Sequence, residues 1–157
     1  MNDLILARAL HVLAVVVWIG GVSMVTTVVL PAIRRGALGE DRLRALEGIE
    51  RRFVWYARAA VIVVGATGFY MVGRLDLWPR FQLPGFWWMH AMVGVWLIFV
   101  LILFLVEPLA VRRRRANERS PAPDRLLARV YRGHLVLLAL ALVTVFGAVA
   151  GSHGWLP

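Results

Sequence analysis

The four histidines of this chain are the residues whose chemistry most needs an explanation, because three of them lie near the ends of long apolar runs. The set is His11, His90, His134 and His153. A histidine inside a bilayer is costly unless it has a partner, and neutral imidazole is a common metal ligand. The chain contains no cysteine, which excludes disulfides, thiolate metal sites and haem attachment through Cys-x-x-Cys-His. We therefore expect any haem to be held non-covalently.

Four apolar runs must position these histidines, and they cover residues 5–31, 53–73, 86–110 and 130–151. Hydrophobic residues make up 61% of the chain, which is more than one soluble domain of this size can hide from water. A bilayer core of roughly 30 Å takes about 20 apolar residues per helix. The sequence therefore predicts an all-α fold, in which residues 1–157 form one integral membrane domain, a four-helix bundle.

The basic side chains predict how this bundle is oriented. The net charge is +9, the chain has no lysine, and most arginines fall in the connections around residues 34–58 and 112–132. Positive loops stay on the cytoplasmic side, so both termini are expected outside a bacterial-type cytoplasmic membrane. Because apolar spans flank the arginine clusters, we interpret these clusters as signals that set the orientation of the chain in the lipid bilayer. We expect no nucleic-acid partner.

Topology sorts the histidines by depth. His11 and His90 lie a few residues inside the outer ends of the first and third runs, and His153 lies just beyond the outer end of the fourth. His134 is near the inner end of the fourth run, roughly 28 Å along the helix from His153 at about 1.5 Å per residue. The sequence thus predicts one outer-side site at His11 and His90, with His153 as a further metal ligand in reserve.

The neighbours of the outer pair suit a large flat ligand. Trp18 and Gly21 share a helical face with His11, and Gly94 follows His90 by one turn. Small residues beside a histidine leave room for a porphyrin, and imidazole is a common axial ligand of haem iron.

Ordinary helix packing is the competing interpretation of the small residues. Glycine is common where membrane helices approach closely, and Gly147-x-x-x-Gly151 in the fourth run is an example. That motif either seals the bundle internally or joins two copies in a homodimer.

A second polar pair is predicted at the inner side, where Glu107 and His134 lie at similar depth. It is interpreted as a proton-linked site, as the polar end of a quinone pocket, or as a structural pair, with a contact from Glu107 to the arginines at 112–115 as another option. Pro108 and Pro31 are expected to loosen their helices near this side.

The connection at residues 36–52 carries leucines and an isoleucine at helical spacing among its charges. This pattern predicts a short amphipathic helix, either lying at the membrane surface or extending the second helix.

Two segments resemble a known membrane family. The opening RALHVLAVVVWIGGVSMVTTVVLPAIRR is similar to the first helix of the family of copper-resistance D proteins and HemJ-type protoporphyrinogen oxidases, and WWMHAMVGVWLIF resembles the third helix of HemJ-type proteins. The resemblance implies a four-helix membrane protein. It also implies haem b binding through a first-helix histidine, which is His11 here. Met92 stands where the family has a third-helix lysine, so His90 or Met92 is the implied second axial ligand.

Together these observations predict a membrane-embedded b-type haem protein that transfers electrons, with haem b near the outer leaflet. Its expected partners are a quinone and an outer-side redox protein, which would make it a quinone-linked oxidoreductase. The alternatives are a copper transport or resistance protein using histidine and methionine ligands, a HemJ-like protoporphyrinogen oxidase, and a structural subunit of a respiratory complex.

Overall fold

The computed structural model describes residues 2–35, 42–116 and 123–155. In this part of the chain the fold is all-α, as predicted, and no strand occurs. Four long helices follow one another. Helix α1 comprises Asn2–Met24, a π-helical turn Val25–Val29 and Leu30–Arg34; α2 is Arg42–Arg74; α3 comprises Trp87–Leu101, a π-helical turn Ile102–Val106 and Glu107–Ala116; α4 is Pro123–Ser152.

Each of these helices contains a segment long and apolar enough to cross a membrane. The four segments are Asn2–Arg34, Arg51–Arg74, Pro84–Arg112 and Leu127–Ser152. Large apolar side chains such as Leu13, Val16 and Phe146 are exposed on the bundle surface, where lipid rather than water is a favourable solvent. By length and composition the chain is therefore a multi-pass membrane protein.

The second helix is longer than its apolar run. It begins at Arg42, so the described part of the charged 36–52 segment extends α2, as one of the two sequence-based alternatives proposed. Leucine, arginine, glutamate and alanine are all good helix formers, which favours this continuation. Residues 36–41 lie outside the described part of the chain.

The connection between α3 and α4 is shorter than the gap between the third and fourth apolar runs, because α3 continues to Ala116 and α4 already begins at Pro123. Proline is well suited to the first turn of a helix, where its missing N–H is not needed. At the other end of the bundle, two short 3₁₀ turns, Trp78–Gln82 and Pro84–Phe86, connect α2 to α3.

Aromatic rings resting on glycines hold neighbouring helices together. The Phe53 ring of α2 lies against Gly21 of α1, and the Trp96 ring of α3 lies against Gly65 of α2. The Trp96 indole also donates to the Val61 carbonyl over 2.9 Å. Membrane helices have no hydrophobic drive to associate, so close van der Waals contact at glycine is what stabilises such interfaces.

The same kind of contact accounts for the Gly147-x-x-x-Gly151 motif. The Trp87 ring comes within 2.9 Å of where a Cβ on Gly147 would stand, and the Trp88 indole packs directly on Gly151. This glycine face of α4 is therefore used inside the bundle, against α3, which is the internal of the two predicted alternatives.

Both π-helical turns precede a proline. In α3 the Glu107 N–H bonds to the Ile102 carbonyl, and Pro108 has no N–H to offer the Leu103 carbonyl. In α1 the Leu30 N–H bonds to the Val25 carbonyl, and Pro31 stands in the same relation to the Thr26 carbonyl. The predicted loosening at the two prolines thus takes the form of a π-helical turn, with one carbonyl in each that proline leaves without its helical donor.

Candidate functional site

His11 is held against helix α2 by a hydrogen bond. Its Nδ1 lies 3.0 Å from Oγ1 of Thr67, and its Cε1 lies 3.3 Å from where a Cβ on Gly68 would stand. Even a Cβ at position 68 would make the imidazole shift by a few tenths of an ångström, so the absence of a side chain there lets the ring approach α2 this closely. The imidazole is half-buried.

The Thr67 hydroxyl fixes the tautomer of this imidazole. Its hydrogen is donated to the Val63 carbonyl over 2.6 Å, so its oxygen is left to accept from His11. Nδ1 of a neutral His11 must then carry the proton, and Nε2 keeps its lone pair. Besides the Thr67 hydroxyl, the ring has the Val64 carbonyl of α2 as a neighbour, and no hydrogen bond assigned to Nε2 is found among the described residues. This is how metal-binding histidines are oriented, with one ring nitrogen anchored and the other free.

Trp18 lies two turns further along α1, inside the core. It is only 4% exposed, and its ring meets Phe99 of α3 edge-on at 4.8 Å. Its Nε1–H is buried and has no acceptor among the described residues. The Nε1–H of Trp88 is buried without an acceptor in the same way, so this property does not single out Trp18 as a ligand contact.

The third-helix members of the predicted site face elsewhere. His90 is exposed, and its ring packs edge-on against Phe81 of the preceding loop at 5.2 Å. Gly94 is exposed, and no atom lies within 4 Å of where its Cβ would stand. Met92 is half-buried. The structure therefore brings His11 together with Thr67 rather than with His90, and the two imidazoles have separate partners.

The other two histidines make local hydrogen bonds within α4. Nδ1 of His153 lies 2.8 Å from the Val149 carbonyl on the exposed end of the helix, and Nδ1 of His134 lies 3.0 Å from the Val130 carbonyl. No group of three or more metal-ligating histidine, aspartate or glutamate side chains occurs among the described residues.

Glu107 has a partner that the sequence interpretation did not include. Its carboxylate accepts from Arg58 of α2 over 2.9 Å, and both side chains are largely shielded, at 19% and 32% exposure. The structure therefore does not pair Glu107 with His134. Of the alternative arginines at 112–115, Arg112 is exposed and the side chains of the others lie outside the described part.

Arg58 does more than neutralise this carboxylate. Its Nε and one terminal nitrogen donate to the Leu103 carbonyl over 3.0 and 2.8 Å, which is the carbonyl that Pro108 leaves without a helical donor. Its guanidinium also lies over the rings of Trp55 and Phe104, at 5.2 and 5.5 Å from their centroids. One arginine thus satisfies both the carboxylate and the broken helix.

Arg58 was counted with the arginines of the inner connection, and one signal could have separated it from them. It follows Phe53 by five residues and is succeeded by an uninterrupted apolar run, which places it within the span of α2. An arginine inside an apolar helix needs a buried partner, and Glu107 is the single acid of the third run.

Comparison with family models, curated proteins and solved structures finds no match to this chain.

Proposed function

We propose that this chain is a membrane-embedded b-type haem protein that transfers single electrons between a quinone and a partner on the outer side of the membrane. The observation that carries the proposal is His11, whose Nδ1 is anchored to Thr67 while Nε2 stays free. A free Nε2 on an oriented, half-buried imidazole is suited to haem iron as an axial ligand.

The residues present fit haem b at one axial position. His11 would hold the iron through Nε2, with its ring oriented by Thr67. His90 or Met92 of α3 is proposed for the second position, with His153 in reserve. A bound haem supplies a one-electron iron couple, while the chain supplies the ligand, its orientation and surroundings of low polarity.

Thr67 is a positioning residue in this proposal. It keeps the proton of His11 on Nδ1 and so holds the lone pair of Nε2 ready. The Arg58–Glu107 pair, with its carbonyl bonds, keeps α2 and α3 fixed at the far end of the same bundle.

An absorption spectrum of the detergent-purified protein tests the proposal. From haem-replete cells we expect a Soret band that shifts on dithionite reduction, and its loss in His11→Ala. The matched control is His134→Ala, whose imidazole bonds to the Val130 carbonyl within α4, and most of the band should remain. A colourless wild-type protein that binds copper(I) through His11 would instead support the copper alternative.

A further inference from the structure

The Arg58–Glu107 pair has hydrogen-bonding groups to spare. A guanidinium carries five N–H hydrogens, and Arg58 gives three of them to protein acceptors, two to the Leu103 carbonyl and one to Oε2 of Glu107. The two hydrogens on its other terminal nitrogen, Nη1, have no acceptor among the described residues, and no hydrogen bond to Oε1 of Glu107 is found there either. The pair therefore presents an unused donor close to an unused acceptor.

Both unused groups can be reached from outside the bundle. In the described part of the chain, the only buried side-chain nitrogen or oxygen atoms without a partner are those of Trp18 and Trp88. Nη1 of Arg58 and Oε1 of Glu107 are not among them, so each keeps accessible surface, in agreement with the partial exposure of the two side chains. A ligand can therefore contact the pair without displacing it.

The surroundings of the pair are apolar. Arg58 lies inside the span Arg51–Arg74, and Glu107 lies inside the span Pro84–Arg112, five residues before its end. At about 1.5 Å per residue this places Glu107 roughly 7–8 Å inside that end. A ligand must consequently dissolve in the hydrocarbon of the membrane, and because the ion pair is neutral as a whole, it favours a neutral ligand over a free ion.

Two exposed aromatic rings lie beside the guanidinium. The Arg58 guanidinium is 5.2 Å from the centroid of Trp55 and 5.5 Å from that of Phe104, and these side chains are 68% and 42% exposed. Such rings offer a flat surface to an aromatic head group. Phe104 also lines an open groove of about 320 Å³ with Leu105 and Pro108, which gives apolar surface to a hydrocarbon tail.

We propose that the Arg58–Glu107 pair binds the head group of a quinol, at the arginine-rich end of the bundle. A quinol is a neutral aromatic ring with an apolar tail, and one of its hydroxyls accepts from Nη1 of Arg58 and donates to Oε1 of Glu107. A quinone carbonyl also accepts from Arg58 but has no hydrogen for Glu107, so the site prefers the reduced form. The inference rests on the proposed function, because it gives the quinone of that function a place in the fold, yet quinol binding is measurable without haem.

The preference for the reduced form tests the site. The probes are decylubiquinol and decylubiquinone, titrated anaerobically by calorimetry into the detergent-purified full chain from haem-deficient cells. We expect the quinol to bind about tenfold more tightly, because only this form makes a hydrogen bond to the charged acceptor. No binding of either form, equal binding of both, or displacement of the quinol by equimolar phosphatidylglycerol would overturn the proposal.

The same preference locates the acceptor. In Glu107→Gln the amide oxygen can accept from Arg58 while the amide nitrogen faces the ligand as a donor, so the preference for the quinol should disappear. Asp3→Asn makes the same chemical change at an exposed position of α1 and should keep the preference. A merely structural role of Glu107 would weaken both forms alike, since they have the same size. A preference that survives Glu107→Gln, or an equal loss for both forms, refutes the assignment.

The neighbouring aromatic residues provide a second pair of variants that does not disturb the ion pair. Trp55 and Tyr56 are 68% and 69% exposed, but only Trp55 lies beside Arg58. Trp55→Ala should weaken both forms by about threefold to tenfold through loss of the ring contact, and Tyr56→Ala by less than about twofold. Equal effects would place the ligand elsewhere and refute the proposal. A colourless protein that binds the quinol would contradict the haem assignment alone, and a protein with a Soret band that binds neither form would contradict the quinol site alone.

Discussion

Removing Arg58 should destabilise the bundle more than removing any exposed arginine. The substitution Arg58→Leu deletes three hydrogen bonds, two to the Leu103 carbonyl and one to Glu107. Side-chain hydrogen bonds between membrane helices average about 0.6 kcal/mol, and those to charged groups in proteins reach about 1.5–3 kcal/mol. Because the ion pair is partly exposed, we expect the free energy of unfolding to fall by about 2–4 kcal/mol.

Unfolding in mixed micelles with increasing dodecyl sulfate, followed by circular dichroism, measures this loss. Arg112→Leu is the matched control, since its exposed side chain should matter by less than about 0.5 kcal/mol. If Arg58→Leu is equally mild, the three bonds do not stabilise the fold and the reasoning fails.

The proline supplies a sharper version of the same test. Pro108→Ala restores a backbone N–H and allows α3 to recover regular hydrogen bonds, so the Leu103 carbonyl no longer depends on Arg58. In that background the cost of Arg58→Leu should fall by about 1 kcal/mol, a coupling typical of residues that share a partner. An unchanged cost would mean that Arg58 does not act through the carbonyl.

Three further outcomes follow from single contacts. Gly68→Val should displace His11 from α2 and abolish the Soret band, whereas Gly73→Val, at an open position on the same helix, should leave it intact; loss of the band in both would show a general packing defect. Asp3→Asn should barely lower the thermal unfolding midpoint, because exposed ion pairs contribute little; a large drop would contradict this. Since the chain has no native cysteine, Ser152→Cys should react with a membrane-impermeant maleimide in intact cells, and labelling only after lysis would reverse the predicted topology.

The architecture could be predicted from the sequence because its signals are long and redundant. Each span needs about 20 apolar residues, and no other element accounts for four such runs in 157 residues. The helix ends were less predictable. Helix α2 begins at Arg42 and α3 ends at Ala116, both in charged stretches beyond the apolar runs, and hydropathy does not identify such stretches as helix. Helix propensity and hydrogen bonding, rather than lipid, decide how far those helices continue.

The site was harder to predict because side-chain partners depend on helix rotation. Depth alone matched His11 with His90, and Glu107 with His134, yet depth does not say which face of each helix a residue occupies. In the structure His11 faces Thr67, and Glu107 faces Arg58. The prolines were visible in the sequence, but the need for a donor at the Leu103 carbonyl appears only once α2 is packed beside it.

The central claim is that Thr67 prepares His11 as a haem ligand, and haem affinity of Thr67→Val tests it most directly. Thr144→Val is the matched control, because Thr144 makes the same intrahelical bond in the second half of the chain without contacting a histidine. Titrating haem into the purified apoproteins, we predict roughly 10–100-fold weaker binding for Thr67→Val, the usual effect of removing a partner that orients a ligand, and near wild-type binding for Thr144→Val. Equal affinities for the two variants would contradict the claim.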